Sequence, residues 1–286
     1  MTLKKKYSEQ KTLTAISYRA EAVLDYFNER VRIDDYRGNA ENMVNDVTEI
    51  AANNKFTKII VKTRAADIFT LLSHQYQLEA LITNYFHGDD AYFFTKYLSE
   101  ERRKTNDWIE QDSIISSIYK KEKSDHIQSL EFEIRIAAEY DAKPLAALYS
   151  QVFEVYPTPL HSSEYIKKTM TEGTIYFLVK QGERIVSAAS AEINQTYHNA
   201  EITDCATLPE VRKHKLMRSL ILAIEEKLRE KGIFCAYSIA RAASFGMNAV
   251  LHQLGYEYTG RLTNNCVIST DIENMNVWCK DLSAEN

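Results

Sequence analysis

The chain has 286 residues, 45% apolar and 26% charged, enough for two soluble globular domains that each bury a core. Its eight glycines never stand closer than five apart and form neither G-x-G-x-x-G nor G-x-x-x-x-G-K-[ST], so the common nucleotide loops are excluded, as are collagen-like and low-complexity chains. With 35 basic and 40 acidic residues the net charge is −5, which argues against broad nucleic-acid binding.

The N-terminus has a basic run without an apolar segment behind it, so no signal peptide is expected, and no apolar stretch approaches a membrane span. Cys205, Cys235, Cys266 and Cys279 form no C-x-x-C pair and are read as reduced thiols, and the seven histidines form no H-x-H or H-x-x-x-H pair, so no metal is expected. A cytoplasmic compartment follows.

In chain order, strand patterns occupy 31–36 and 57–63. Between them Met43, Val44, Val47, Ile50 and Ala51 recur at helical spacing, predicting a helix over 40–53. A short helix fits 66–74, and strands 79–86 and 91–98 flank the turn His87-Gly88-Asp89-Asp90. A charged, partly helical connector follows. A second region then predicts a strand from 131, a helix over 140–156 ended by Pro157 and Pro159, and a helix over 165–171. Strands at 174–180, 184–193 and 200–207 lead to a long helix over 216–231 stopped by Gly232. A strand at 233–239, a helix at 244–254 and strands at 256–268 and 275–280 close the chain. This order implies a mixed sheet flanked by helices. The boundaries drawn are an α/β module over 1–100, the connector over 101–130 and a second domain over 131–282.

Arg64-Ala65-Ala66 recurs as Arg241-Ala242-Ala243, and His74-Gln75 as His252-Gln253. In both places a buried strand precedes, and a helix and hairpin follow. Two readings stand: chance, or an N-terminal module that is a partial copy of the second half of the C-terminal domain.

The strongest chemical signal is 208–218, LPEVRKHKLMR, where four basic residues and a histidine sit between a strand and a long helix. A helix N-terminus attracts anions through its unpaired N–H groups and dipole. The segment is either a polyphosphate-binding turn or a solvated helix start relieved by Glu210.

Arg212 opens a hexad resembling the R-x-x-G-x-G/A loop of GNAT acetyltransferases. IDDYRGN (33–39), NKFTKIIVKTR (54–64), FHGDDAYF (86–93), VFEVYPTPLH (152–161), NAEITDCATLPE (199–210), SIARAASFGMN (238–248), LGYEYTGRLTNN (254–265) and IENMNVW (272–278) resemble one family within them, the β-lysine N-acetyltransferases. The likeness spans about 25–282, the connector excepted. It implies a GNAT-type mixed, mainly antiparallel sheet flanked by helices, preceded by a smaller, partial GNAT-like module. It further implies acetyl-CoA as co-substrate, a small-molecule amine as acceptor, and a product that serves as a compatible solute. Nucleic acid and membrane are not expected partners; a homodimer is admitted. The alternatives are another small amine, such as lysine or a polyamine, or a non-catalytic acetyl-CoA-binding module with a degenerate loop.

Glu201 stands eleven residues before Arg212, as the strand-borne base does in related enzymes, and is the first choice for base. Asp204 is second, or an ammonium anchor; a structural hydrogen-bond acceptor is the competing role for Glu201. Strand alternation puts Glu201, Thr203 and Cys205 on one face and Ile202, Asp204 and Ala206 on the other. The resemblance assigns Ala206, Thr207 and Leu208 to the pantetheine arm, the amides of Arg212, Lys213, His214, Lys215, Leu216 and Met217 to the pyrophosphate, and Ser244 and Asn248 to the arm as well. Asn248 is alternatively a surface helix residue.

Lys213, Lys215 and Met217 replace residues that are usually small, so either the lysines contact the phosphates or cofactor binding weakens. The family's thiolate-protonating tyrosine corresponds to Leu251, leaving Tyr237, Tyr256 or solvent for that step. Arg241 is the candidate for the acceptor's carboxylate, Glu154, Tyr156 and His161 for acceptor specificity, and Asn264, Asn265, Asn274 and Asn276 for its polar ends. Singly, each of these is equally a turn or surface polar residue.

Overall fold

The computed structural model describes residues 7–121, 132–268 and 271–283. The N-terminal half holds β1 (Ser8–Thr14), β2 (Tyr18–Asp25), β3 (Arg30–Gly38), α1 (Ala40–Asn53), β4 (Lys58–Thr63), α2 (Ile68–Ser73), β5 (Gln77–Phe86) and β6 (Asp89–Tyr97). Its six strands form one sheet in the order β1-β2-β3-β4-β6-β5. β1 and β2 were not anticipated. Tyr18, Ala20, Ala22 and Leu24 alternate inward with period two, but two of these four are alanines and the hydropathy signal is faint.

The charged connector carries α3 (Glu100–Arg103) and α4 (Trp108–Tyr119). Its residues 122–130 lie outside the described residues. The C-terminal half then holds β7 (Glu133–Ile136), α5 (Ala142–Val152), α6 (Ser163–Thr171), β8 (Ile175–Gln181), β9 (Arg184–Asn194), β10 (Asn199–Thr207), α7 (Leu216–Glu230), β11 (Cys235–Arg241), α8 (Phe245–Gln253), β12 (Glu257–Ile268) and β13 (Asp271–Asp281). Its seven strands run β12-β13-β11-β10-β9-β8-β7, antiparallel except for β10 beside β11. α5 ends at Val152, four residues before the expected end, because Phe153 is already extended.

The internal repeat is architectural and extends beyond the second half of the C-terminal domain that the sequence suggests, back to β8. From β1 to β6 and from β8 to β13 the elements come in the same order with the same pairings, including one parallel pair, β3 with β4 and β10 with β11. Each parallel pair starts six residues before its Arg-Ala-Ala, at Arg30–Lys58 and Asn199–Cys235. Arg32 in β3 therefore occupies the place of Glu201 in β10. The copies differ after the strand. β3 passes to α1 through Gly38 and the capping Asn39 alone, whereas β10 is followed by a 3-10 turn, Pro209–His214. Beyond its last parallel pair, Ile33–Val61, the N-terminal copy is closed by the Tyr36 hydroxyl, hydrogen-bonded to Thr63 (2.5 Å) and Asp67 (2.7 Å).

Each half has its own core, α1 and α2 packing on the first sheet and α5 to α8 on the second. A third core joins the sheets through Ile60, Ile82, Phe93, Leu262, Met275 and Val277. There β5 packs on β12, and Lys58 and Thr259 cross the seam to the Thr263 carbonyl (2.6 Å) and the Leu81 carbonyl (2.5 Å). Gly260 permits the approach: a Cβ on it meets the Glu79 carbonyl oxygen at 2.1 Å and Ala80 Cα at 2.6 Å, both backbone atoms.

Gly260→Ala is expected to lower the free energy of unfolding by about 2 kcal/mol or more through overpacking at that seam. Gly246→Ala, where a Cβ meets nothing within 4 Å, is the control and stays within about 1 kcal/mol of the parent. Urea denaturation of the two variants checks both.

Candidate active site

β10 and β11 pair only at Asn199–Cys235, Ala200–Ala236 and Glu201–Tyr237, then part. The edge of β10 beyond Glu201 has no strand beside it among the described residues, so the sheet opens into a cleft at Glu201. On its other edge β10 stays paired with β9, and Glu192 lies directly opposite Glu201.

A bulge interrupts that ladder between Thr203 and Ala206, with Asp204 in the left-handed region at φ 51°. The extra residue overturns the alternation expected from the sequence. Asp204 turns toward the side of Glu201 and Thr203, and the Tyr156 hydroxyl reaches both Thr203 and Asp204. Ser190 also donates to Asp204 at 2.7 Å.

Three carboxylates therefore share one cleft. Burial and the nearby Glu201 push Asp204 up to about 6, against hydrogen bonds from Ser190 and Tyr156. Burial also raises Glu201, which Lys62, Arg32 and a hydrogen bond from Tyr237 pull back down. Glu192 is raised by the protein around it and by Glu201 and Asp204. Its own surface remains exposed, so water in the cleft still reaches it.

The opposite wall belongs to the N-terminal sheet. Arg32 grips Asp34 through Nε (3.0 Å) and Nη2 (2.9 Å), and Lys62 lies 3.1 Å from the same carboxylate and donates to the Tyr85 hydroxyl at 3.1 Å. The Tyr85 ring packs on Tyr237 with centroids 5.7 Å apart. At the rim Tyr197 donates to Asp35 at 2.5 Å and Asn199 to the Tyr85 carbonyl at 2.9 Å. Arg32, Asp34, Lys62, Tyr85 and Glu192 were not singled out from the sequence. The signal available was lysine inside the apolar run TKIIVKT, where a charge demands a buried partner.

Several expected residues serve elsewhere. Arg241 is held by Glu273 through Nε (2.7 Å) and Nη2 (2.5 Å), and the cations that act on Glu192 and Glu201 are Arg32 and Lys62 instead. Asn248 is buried, not on the surface: it donates to the carbonyls of Arg241 (2.9 Å) and Ser244 (2.7 Å) and accepts from Asn276 (2.9 Å) and Trp278 (2.8 Å). That uses its whole amide and removes it from the cofactor set. Ser244 caps α8 by accepting from Met247.

Asn264 binds the Arg102 and Lys104 carbonyls (2.9 and 2.7 Å), and Asn265 accepts from Arg30 at 2.8 Å, so both tie the chain together away from the cleft. Asn274 is taken by Gln111 at 2.9 Å. The Tyr256 ring is sealed beside Glu225 and Lys280, with its hydroxyl toward Glu225, which removes it as a proton donor in the cleft. Tyr237 is at the cleft, bonded to Glu201, while Leu251 is core. Of the specificity candidates, Tyr156 reaches the carboxylates. Glu154 is exposed on the same loop, and His161 lines an outer groove of about 430 Å³ between α5 and α6, with Lys143, Ser150 and Glu164.

In the loop after β10, Arg212, Lys213, His214 and Lys215 are exposed, Met217 is half-buried and the Leu216 side chain is core. Lys215 adopts φ 55°, ψ 26°, the backbone conformation a glycine would take at that point of the hexad. The loop thus keeps its path without glycine, at about 1–2 kcal/mol of steric cost. It delivers the amides of Leu216 and Met217 at the start of α7, where helix geometry leaves them without intrahelical partners. Leu208 donates to the Val186 carbonyl (3.0 Å) and accepts from Val211 (3.1 Å), while the Ala206 carbonyl accepts from Ser187 (3.0 Å) and the Thr207 carbonyl from Arg212 Nε (3.3 Å).

A family model described as the acetyltransferase (GNAT) family matches residues 135–256. N-acetyltransferase YodP of Bacillus subtilis is 43% identical over 264 residues, covering 91% of this chain and 96% of that protein. The beta-lysine N(6)-acetyltransferase of Methanosarcina mazei is 36% identical over 270 residues, covering 87% and 100%. That of Methanococcus maripaludis is 31% identical over 254 residues, covering 88% and 93%. The chain belongs to the β-lysine N-acetyltransferase family of the GNAT superfamily. It is an N-acetyltransferase, and in this GNAT enzyme the strand opening, the bulge and the loop before α7 lie together in the matched region. The matched span begins after the sheet that carries Arg32, Asp34 and Lys62.

Asn248→Ala strands buried donors on Trp278 and Asn276 and is expected to cost about 2–4 kcal/mol of stability. Arg241→Ala removes a partly exposed pair, costs less than about 1 kcal/mol and leaves the acceptor KM unchanged. Urea denaturation and initial-rate kinetics check the contrast.

Proposed function

We propose that the protein transfers the acetyl group of acetyl-CoA to the side-chain amine of β-lysine, giving Nε-acetyl-β-lysine, a compatible solute. The observation that carries this reading is the cluster of Glu192, Glu201 and Asp204 where β10 and β11 part. Carboxylates this close repel one another, and an ammonium group relieves that repulsion. The names of the two archaeal relatives support β-lysine as acceptor. A polyamine is disfavoured by Arg32 and Lys62, because a cation-only ligand meets both across the cleft.

An alkyl ammonium has a pKa near ~10.4 and is not nucleophilic until it loses a proton. Glu201, raised by burial yet held partly ionised by Arg32, Lys62 and Tyr237, takes that proton. The nitrogen forms a bond to the thioester carbonyl carbon, the carbon–sulfur bond breaks, and coenzyme A leaves as the thiol once protonated. Asp204 and Glu192 hold ammonium charge beside the reacting nitrogen. The open edge of β10 at Ala206 and Thr207 receives the extended arm of acetyl-CoA, and the amides before α7 with Arg212, Lys213 and Lys215 receive its phosphates. Acetylation removes one of two positive charges, and the net-neutral zwitterion that results suits a solute accumulated under salt stress.

The test is free-thiol release from acetyl-CoA with β-lysine, α-lysine and spermidine as acceptors. Turnover is expected with β-lysine; turnover with spermidine alone contradicts the reading. Glu201→Gln is expected to lower kcat about 10²–10⁴-fold. A base works only when ionised, so the parent's kcat/KM rises with pH through a limb above the ordinary glutamate pKa of about 4.3, and that limb is absent from the variant. Full rate in Glu201→Gln at every pH removes Glu201 from the role.

A further inference from the structure

The cleft has one wall from each copy of the repeat, and the walls carry opposite charge. Arg32 sits in β3 where Glu201 sits in β10, at the third partner pair of its parallel ladder, and the two side chains act on each other electrostatically. In the N-terminal wall two cations, Arg32 and Lys62, share the single carboxylate of Asp34, which leaves that group with one net positive charge. They are also the cations whose charge reaches Glu192 and Glu201. Lys62 is nearly sealed, its side chain 8% exposed between Asp34 and Tyr85. Arg32 is not: its side chain is 34% exposed, and Asp34 occupies its Nε–Nη2 edge. Arg241, expected to read the acceptor's carboxylate, is paired with Glu273 on that same edge, but it is Arg32 and Lys62 whose charges reach Glu192 and Glu201.

We infer that Arg32 binds the carboxylate of the acceptor, so that the zwitterion spans the cleft from the N-terminal sheet to the Glu192–Glu201 pair. This rests on the acetyl transfer to β-lysine proposed above. Lys62 keeps Asp34 from neutralising the site entirely, and Asp34 fixes the guanidinium plane, the geometry a carboxylate needs for paired hydrogen bonds. The N-terminal sheet thereby acts as a specificity element. It selects an amino acid over a plain amine, while the C-terminal carboxylates act on the amines.

The test compares β-lysine with its carboxamide, which keeps both amines and the same length but has lost the negative charge. The parent is expected to prefer β-lysine by about 10- to 100-fold in kcat/KM, the range for one hydrogen-bonded charge contact. Arg32→Met slows both acceptors, because it removes a charge that keeps Glu201 ionised, but lowers kcat/KM about 10- to 100-fold further on β-lysine than on the carboxamide, and so abolishes the preference. Arg32→Lys, which keeps charge without the fork, restores part of it and serves alone should the methionine variant not fold. Equal losses on both acceptors, or a preference that survives in Arg32→Met and Arg32→Lys, overturn the inference and mark Arg32 as structural. If the parent itself does not acetylate β-lysine, the functional reading fails instead.

Discussion

Placing Glu192, Glu201 and Asp204 together in one cleft is the constraint on which the rest of the architecture depends. Two carboxylates opposite each other across a strand pair destabilise it, and a third on a bulge beside them adds to the penalty. The C-terminal half brings hydroxyls from Tyr156, Ser190 and Tyr237, which stabilise the anions without balancing their charge. The balancing cations come from the other sheet. The N-terminal half is therefore part of the site, and the shared core at Gly260 holds the two walls together.

The two halves put one topology to two uses. Both copies keep a parallel strand pair that parts after a few residues, and both carry a ladder irregularity near that point, between Glu21 and Ala22 opposite β3 and between Thr203 and Ala206 in β10. The C-terminal copy retains the opening and the anion-facing turn before α7. In the N-terminal copy the opening is closed by Tyr36 on Thr63 and Asp67, and its helix is capped by Asn39 with no loop between. Its parting strands point Arg32, Asp34 and Lys62 at the neighbouring copy instead.

Much of this was legible in the sequence because local signals agreed with the fold. The amphipathic stripe of α7, the apolar run of β4 and the paired Arg-Ala-Ala segments located the elements and exposed the repeat. The faint alanine alternation in β2 hid two strands. Spacing and loop position point to Glu201 and Tyr156, and the fold brings both to the cleft. Asp204 was assigned to the wrong face, because a single-residue bulge reverses alternation and leaves no compositional mark. Arg241 and Asn248 illustrate the other failure. Their partners Glu273, Asn276 and Trp278 are distant in sequence, so no local pattern shows that these polar groups are already engaged. The role of Arg32 depends on a contact between modules, which no local pattern encodes. Where glycine is scarce in the loop before α7, Lys215 takes the left-handed conformation itself.

The central claim is that the acceptor lies between the two sheets, with its amines toward Glu192 and Glu201. A crystal structure with coenzyme A and β-lysine tests it most directly. β-Lysine is expected in the cleft, with the reacting nitrogen within hydrogen-bond reach of Glu201. Density for β-lysine in the outer groove beside His161, with the cleft between β3 and β10 holding water alone, contradicts it.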